Sequence, residues 1–182
     1  MSPKKKPEAE ATGLLAKFKL NGKLPIRLDS VAKSLRIEIK YERFDEDLSG
    51  VLVKEASRTV IGVNSSHAIT RQRFTIAHEL GHFVLGHDGE VFVDKTLRNQ
   101  AMVIRRDDKS SLGIDEDEIQ ANRFAAELLM PKELIAEQVG KTLGKKSKLT
   151  SDGLVQVLAQ TFQVSPQAME YRLTNLGYLI PS

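Results

Sequence analysis

The sequence predicts an α+β fold: a small sheet of about three strands, expected to be antiparallel, with helices gathered on it and a helical hairpin at the C-terminus. Three observations carry this reading. Apolar residues recur with a period of two between residues 37 and 63, the period becomes 3.6 from residue 69 onward, and 41% hydrophobic residues in a chain of 182 suffice for one buried core. A single domain is expected over residues 13–182, behind a polar lead at residues 1–12 that contains two prolines and reads as disordered.

In chain order, Leu14, Leu15, Phe18 and Leu20 indicate a short helix ended by Asn21 and Gly22. A second helix is expected from Leu28 to Leu35, with Asp29 or Ser30 as N-cap and Val31, Ala32 and Leu35 on one face. Ile37, Ile39 and Tyr41, then Val51 and Val53, then Val60, Ile61 and Val63 mark three short strands. Their links are too short for crossover helices, which is why antiparallel pairing is expected. From Ile69 to Leu85 a helix should turn Phe74, Ala77, Gly81 and Val84 inward. Residues 86–113 are mixed, with Val91 to Val93 as a short strand or docking segment. A second long helix spans about Asp115 to Met130 and stops at Pro131, which can open the next helix, Pro131 to Val139, closed by Gly140. A lysine-rich loop then leads into helices at about 151–161 and 165–175.

Composition excludes several kinds of function. There is no cysteine, so thiol nucleophiles, disulfide scaffolds and Cys-ligated metals are out, and any metal site must use His, Asp or Glu. Aromatics are 5% with no Trp, poor material for a single-strand stacking platform. The net charge of +3 is local, arising from the N-terminal lysines and from Lys141, Lys145, Lys146 and Lys148, and it reads as solvated surface rather than a nucleic-acid footprint. No apolar run approaches 18 residues and no signal-peptide core follows the N-terminal charges, so neither membrane span nor export is expected, and the expected location is cytoplasmic.

The informative segment is RQRFTIAHELGHFVLGH, containing His78, Glu79 and His82 in the pattern H-E-x-x-H. Residues i and i+4 of a helix share a face one turn apart, so two imidazoles can reach one cation while Glu79 serves as general base. Composition alone would produce this pattern in about 0.7% of such chains. Gly81 inside the helix costs about 1 kcal/mol relative to Ala, which implies that something packs closely there. His87 lies about 140° further round and beside Gly86; it reads as a C-terminal dipole partner or exposed residue, and stands also as an orienting or donor candidate. His67 is unassigned. A catalytic zinc takes three protein ligands and keeps one open position. Without cysteine, the third ligand falls to a carboxylate among Asp115, Glu116, Asp117 and Glu118. Asp115 and Glu118 also fit a capping box. Given the first motif, Glu118 is preferred as ligand, with Asn122 on the same face to orient it or bind substrate backbone.

RQRFTIAHELGHFVLGH followed by EIQANRFAAELLMP resembles the ImmA/IrrE family of bacterial metallopeptidases, over about Leu24 to Leu179. The resemblance implies a minimal zincin-like domain holding one Zn2+ through His78, His82 and Glu118, with Glu79 as general base. A transition-state donor would come from Tyr171, Tyr178, Arg172 or His87. The resemblance further implies an endopeptidase whose protein substrate is a helix-turn-helix transcriptional repressor, here expected to be a separate chain, cleaved in a stress response or mobile element. Two other readings remain: a partner-dependent zinc-binding regulatory module, and a DNA-binding regulator using the helix-turn-helix outline of residues 151–175. The latter has one Arg and no Lys between Pro166 and Asn175, so direct nucleic-acid binding is not expected.

Overall fold

A computed structural model describes residues 6–20, 22–87, 91–94, 112–145 and 149–180. The elements run α1 (Pro7–Lys17), α2 (Leu28–Ser34), β1 (Ile37–Glu42), β2 (Gly50–Lys54), β3 (Thr59–Asn64), α3 (Ile69–Leu85), β4 (Val91–Asp94), α4 (Leu112–Leu129), α5 (Lys132–Lys145), α6 (Ser151–Phe162) and α7 (Pro166–Asn175). The α+β class holds, and α3 begins and ends where the periodicity places it.

The sheet departs from expectation in two ways. It has four strands in the order β1-β3-β2-β4, since Val91–Asp94 pairs antiparallel with β2. It is also mixed: β2 and β3 form an antiparallel hairpin, whereas β1 runs parallel to β3, from Ile37 opposite Thr59 to Glu42 opposite Asn64. Short links do reverse the chain between successive strands. Adjacency is another matter, because β1 passes over β2 to pair with β3, two strands later in the chain. Asn64, fully buried at the end of β3, makes that crossing tolerable. Its Nδ2 donates to the carbonyls of Asp45 (3.1 Å) and Leu48 (2.8 Å), and its Oδ1 accepts from Ser66 N (3.1 Å), so carbonyls in the 43–49 connection are satisfied by a side chain rather than by a strand.

The expected disordered lead is corrected for the part described. Residues 7–12 are the start of α1, with Pro7 in the first turn, where its missing N–H costs nothing. Ala11, Leu14 and Leu15 are buried and Phe18 is partly buried, at i, i+3, i+4 and i+7, so the apolar stripe begins before Leu14. Residues 1–5 lie outside the described residues. Further on, α5 runs through Gly140 to Lys145, placing Lys141 and Lys145 on a helix rather than in a loop. Gly140 is exposed with no heavy atom crowding its missing Cβ, so nothing there stops the helix. The N-cap of α2 is Arg27 without a side-chain bond, not Asp29 or Ser30, while Ser165 caps α7 as expected, accepting from Ala168 N at 3.1 Å.

One continuous core joins these layers. Leu52, Ile61 and Val63 of the sheet, Ile76, Ala77 and Leu80 of α3, and Phe124, Ala125 and Leu128 of α4 are all buried in it, with α1 packed on α4 and α6 on α7. Among the described residues, no helix is long and apolar enough to cross a membrane.

Candidate metal centre

Helix α3 is the platform. Its stretch from Thr75 to His82 is buried without interruption, including the polar His78, Glu79 and His82. Burying three ionisable side chains is costly unless they are partnered. The partner element is α4, which crosses closely because residue 81 is glycine: a Cβ there would lie 3.1 Å from Cα and from O of Ala121 and 3.2 Å from Cδ1 of Phe124. The close approach inferred from Gly81 therefore has its cause in α4.

Ala121 follows Glu118 by three residues, so this crossing delivers Glu118 to the two imidazoles. The Nε2 atoms of His78 and His82 are 3.0 Å apart, Glu118 Oε2 is 3.1 Å from His78 Nε2, and Glu118 Oε1 is 3.2 Å from His82 Nε2. Three donor atoms at tetrahedral angles around an ion at 2.0–2.1 Å would stand roughly 3.3 Å from one another. The observed triangle is smaller by only a few tenths of an ångström, and the two histidines and the carboxylate form a group that could hold a metal. Electrostatics agree. Burial pulls the His82 imidazole below its ordinary pKa, and the nearby imidazoles add to this against the opposing pull of Glu118, so the neutral, metal-binding form is favoured. For Glu118, burial alone would raise the pKa, but the two imidazoles that face it outweigh this and hold the carboxyl well below the usual carboxylate range.

The outward-facing ring nitrogens are also engaged. His78 Nδ1 donates to Asn122 Oδ1 at 2.9 Å, which leaves Nε2 as the nitrogen with a lone pair for the cluster. Asn122 thus engages His78, where the sequence suggested Glu118 or substrate. His87 Nδ1 is 2.9 Å from His82 Nδ1, and His87 is buried, not exposed. The cause is local: Gly86 ends α3 in the left-handed region at φ 75°, the His87 amide bonds back to the His82 carbonyl at 3.1 Å, and the ring folds onto the helix instead of continuing round it.

Glu79 lies on the side of α3 that meets the sheet. Gly50 opens β2 there, where an added Cβ would be 2.3 Å from Thr75 Cγ2 and 3.8 Å from Glu79 Oε1. Gly50 was not singled out from the sequence; a glycine opening a strand ahead of a catalytic-type helix is the signal that would have found it. The other candidates are not brought to the cluster. Tyr171 is 65% exposed on α7 and Tyr178 follows that helix, exposed. Arg172 is buried at the far end of α4 in an ion pair with Glu127, with its Nε donating to Met130 O at 3.1 Å. His67 Nε2 meets Glu46 O at 3.2 Å in the loop before α3.

Two crossing helices that share one cation-sized cluster of donors, set against a small mixed sheet, define a metallopeptidase-type domain of minimal zincin-like build. Comparison with family models narrows the class. Residues 32–174 match the Peptidase_M78 model, the IrrE N-terminal-like domain, a span running from within α2 to within α7, and the chain belongs to that family. No curated protein matches the chain.

Proposed function

We propose that this protein is a zinc-dependent endopeptidase whose substrate is a separate protein chain, a helix-turn-helix transcriptional repressor, cleaved in the cytoplasm to relieve repression. The observation that carries the catalytic part is the triangle of buried His78 and His82 with partly exposed Glu118, and Glu79 next to His78 on the same helix. Zinc bound there would supply Lewis acidity, making water acidic enough to be a nucleophile near neutral pH and polarising the scissile carbonyl. Glu79 takes the proton of the attacking water and returns it to the leaving amine. Asn122 keeps His78 in the tautomer that points Nε2 inward. The repressor substrate is supported by family membership alone. Direct DNA reading by α6 and α7 is disfavoured by Arg172: it is the one basic side chain of α7, and it is buried against Glu127 rather than offered to phosphates.

Glu79→Gln is the deciding variant. Zinc content should stay at the wild-type level, because Glu79 is outside the triangle, while cleavage of a repressor encoded beside this gene disappears. Persistent cleavage in that variant would remove Glu79 as the base.

A further inference from the structure

Two residues of α4 account for three of the four ring nitrogens of His78 and His82: Glu118 faces both Nε2 atoms and Asn122 takes Nδ1 of His78. The fourth, Nδ1 of His82, meets His87 Nδ1 at 2.9 Å. His87 is only 7% exposed, and its carbonyl is held by Lys54 Nζ at 2.9 Å, so its backbone is tied to β2 as well as to the end of α3. Its other nitrogen, Nε2, is buried and has no hydrogen-bond partner among the described residues; it faces Asp117 Oδ1 at 3.6 Å. That gap is longer than a hydrogen bond but close enough for the carboxylate of Asp117, 39% exposed, to favour a ring N–H over a lone pair at His87 Nε2.

We propose that His87 is the positioning residue for His82: it accepts the Nδ1–H of His82 at its own Nδ1 and thereby keeps His82 Nε2 free, while its Nε2–H points to Asp117. The inference rests on the metal-centre reading above and deepens it. Two neutral imidazoles that meet Nδ1 to Nδ1 can share only one proton, so there are two arrangements. With the proton on His87 Nδ1, the proton of His82 sits on Nε2 inside the triangle and blocks it, and the Nε2 lone pair of His87 confronts the Asp117 carboxylate. With the proton on His82 Nδ1, both conflicts vanish. Asp117 and Glu118 are consecutive, so one turn of α4 addresses both sides of His82, directly at Nε2 and through His87 at Nδ1.

The test uses the full chain loaded with Zn2+ or Co2+. Zn2+ affinity is measured by competition with a chromophoric chelator, and the exchangeable ring N–H resonances shifted by Co2+ are followed by proton NMR. Wild type should show two slowly exchanging ring N–H signals, one from each histidine. His87→Ala should lose about 10- to 100-fold in Zn2+ affinity and lose the His82 signal to solvent exchange while the His78 signal persists. Asn122→Ala should do the reverse. His87→Gln, whose Oε1 can accept from His82 Nδ1, should recover most of the affinity and the second signal, which a purely space-filling role for His87 would not require. Should His87→Ala fail to fold, Asp117→Ala carries the test, with exchange at His82 faster than at His78. Zn2+ affinity in His87→Ala within twofold of wild type, both signals retained there, or equal exchange rates in Asp117→Ala would overturn the proposal. Absence of Zn2+ and Co2+ binding in the wild type would instead bring down the metal-centre reading, and this inference with it.

Discussion

Gly81→Ala tests whether the crossing of α3 and α4 sets the cluster. In a helix the exchange should by itself stabilise by about 1 kcal/mol. Here the added methyl would lie 3.1 Å from two backbone atoms of Ala121, about 0.3 Å short of the 3.4 Å where ordinary contact begins. Backbone cannot swing aside as a side chain can, so the helices must part by a few tenths of an ångström at this point. Overpacking of this kind costs about 1–3 kcal/mol, which leaves a net loss of up to about 2 kcal/mol after the helix gain. The same displacement separates Glu118 and Asn122, which bracket Ala121, from His78 and His82. Since an outer contact alone is worth 10- to 100-fold in metal affinity, a fall of about 10-fold in Zn2+ affinity is expected. Urea melts of the metal-free protein and chelator competition read the two effects separately. A variant more stable than wild type by about 1 kcal/mol with unchanged Zn2+ affinity would mean that the helices do not need the glycine, and the account of the crossing would fail.

Two other perturbations follow from particular contacts. Arg172→Ala strands the buried Glu127 carboxylate, and a loss of about 3–5 kcal/mol is expected in a urea melt; pairing Arg172→Met with Glu127→Gln should recover most of it, because a Gln keeps an acceptor for Lys132 N, which now bonds Glu127 Oε1 at 3.1 Å. A loss below about 1 kcal/mol in the single variant would contradict this. In the metal-free protein the lowered pKa of His82 means that the unfolded chain, with a histidine near 6.5, takes up the proton first as pH falls. Folding stability should therefore decline from about pH 7 to pH 5, less steeply in His82→Gln, as denaturation midpoints would record.

Much of this architecture was legible because it is written in local periodicity. A helix with histidines at i and i+4 needs only the 3.6 repeat to be recognised, and α3 lies where that repeat puts it. Gly81 was legible as a sign of close approach, though not what approached. His87 was misread because the helical wheel was carried past Gly86, whose left-handed backbone turns the chain back. Asn122 was placed on the correct face, but His78 as its neighbour was not legible, since the face of a helix does not specify which atom opposite it lies within 3 Å. The parallel pairing of β1 was out of reach for a related reason: link length governs strand direction, while adjacency depends on which strand supplies the open edge. Residues 7–12 were lost to composition, their charges outweighing a stripe whose first buried members are a proline and an alanine, Pro7 and Ala11.

The pairing of β1 with β3 also divides the sheet into a local and a non-local part. β2 and β3 are joined through residues 55–58, where Glu55 N bonds Arg58 O at 2.9 Å, and such a hairpin closes early because the loop is short. β1 instead pairs with the edge of β3 that faces away from β2, across the 43–49 connection and the whole of β2, a longer-range contact. The residue that fastens this return, Asn64, is delivered by β3 itself, and α3 begins five residues later at Ile69. Helix α3 packs on β2 and β3, the hairpin itself, so the part of the sheet behind His78, Glu79 and His82 is the local one. A lesion in β1 is therefore expected to loosen an edge of the sheet before it disturbs the metal cluster, which stands on the hairpin rather than on the strand that returns to it.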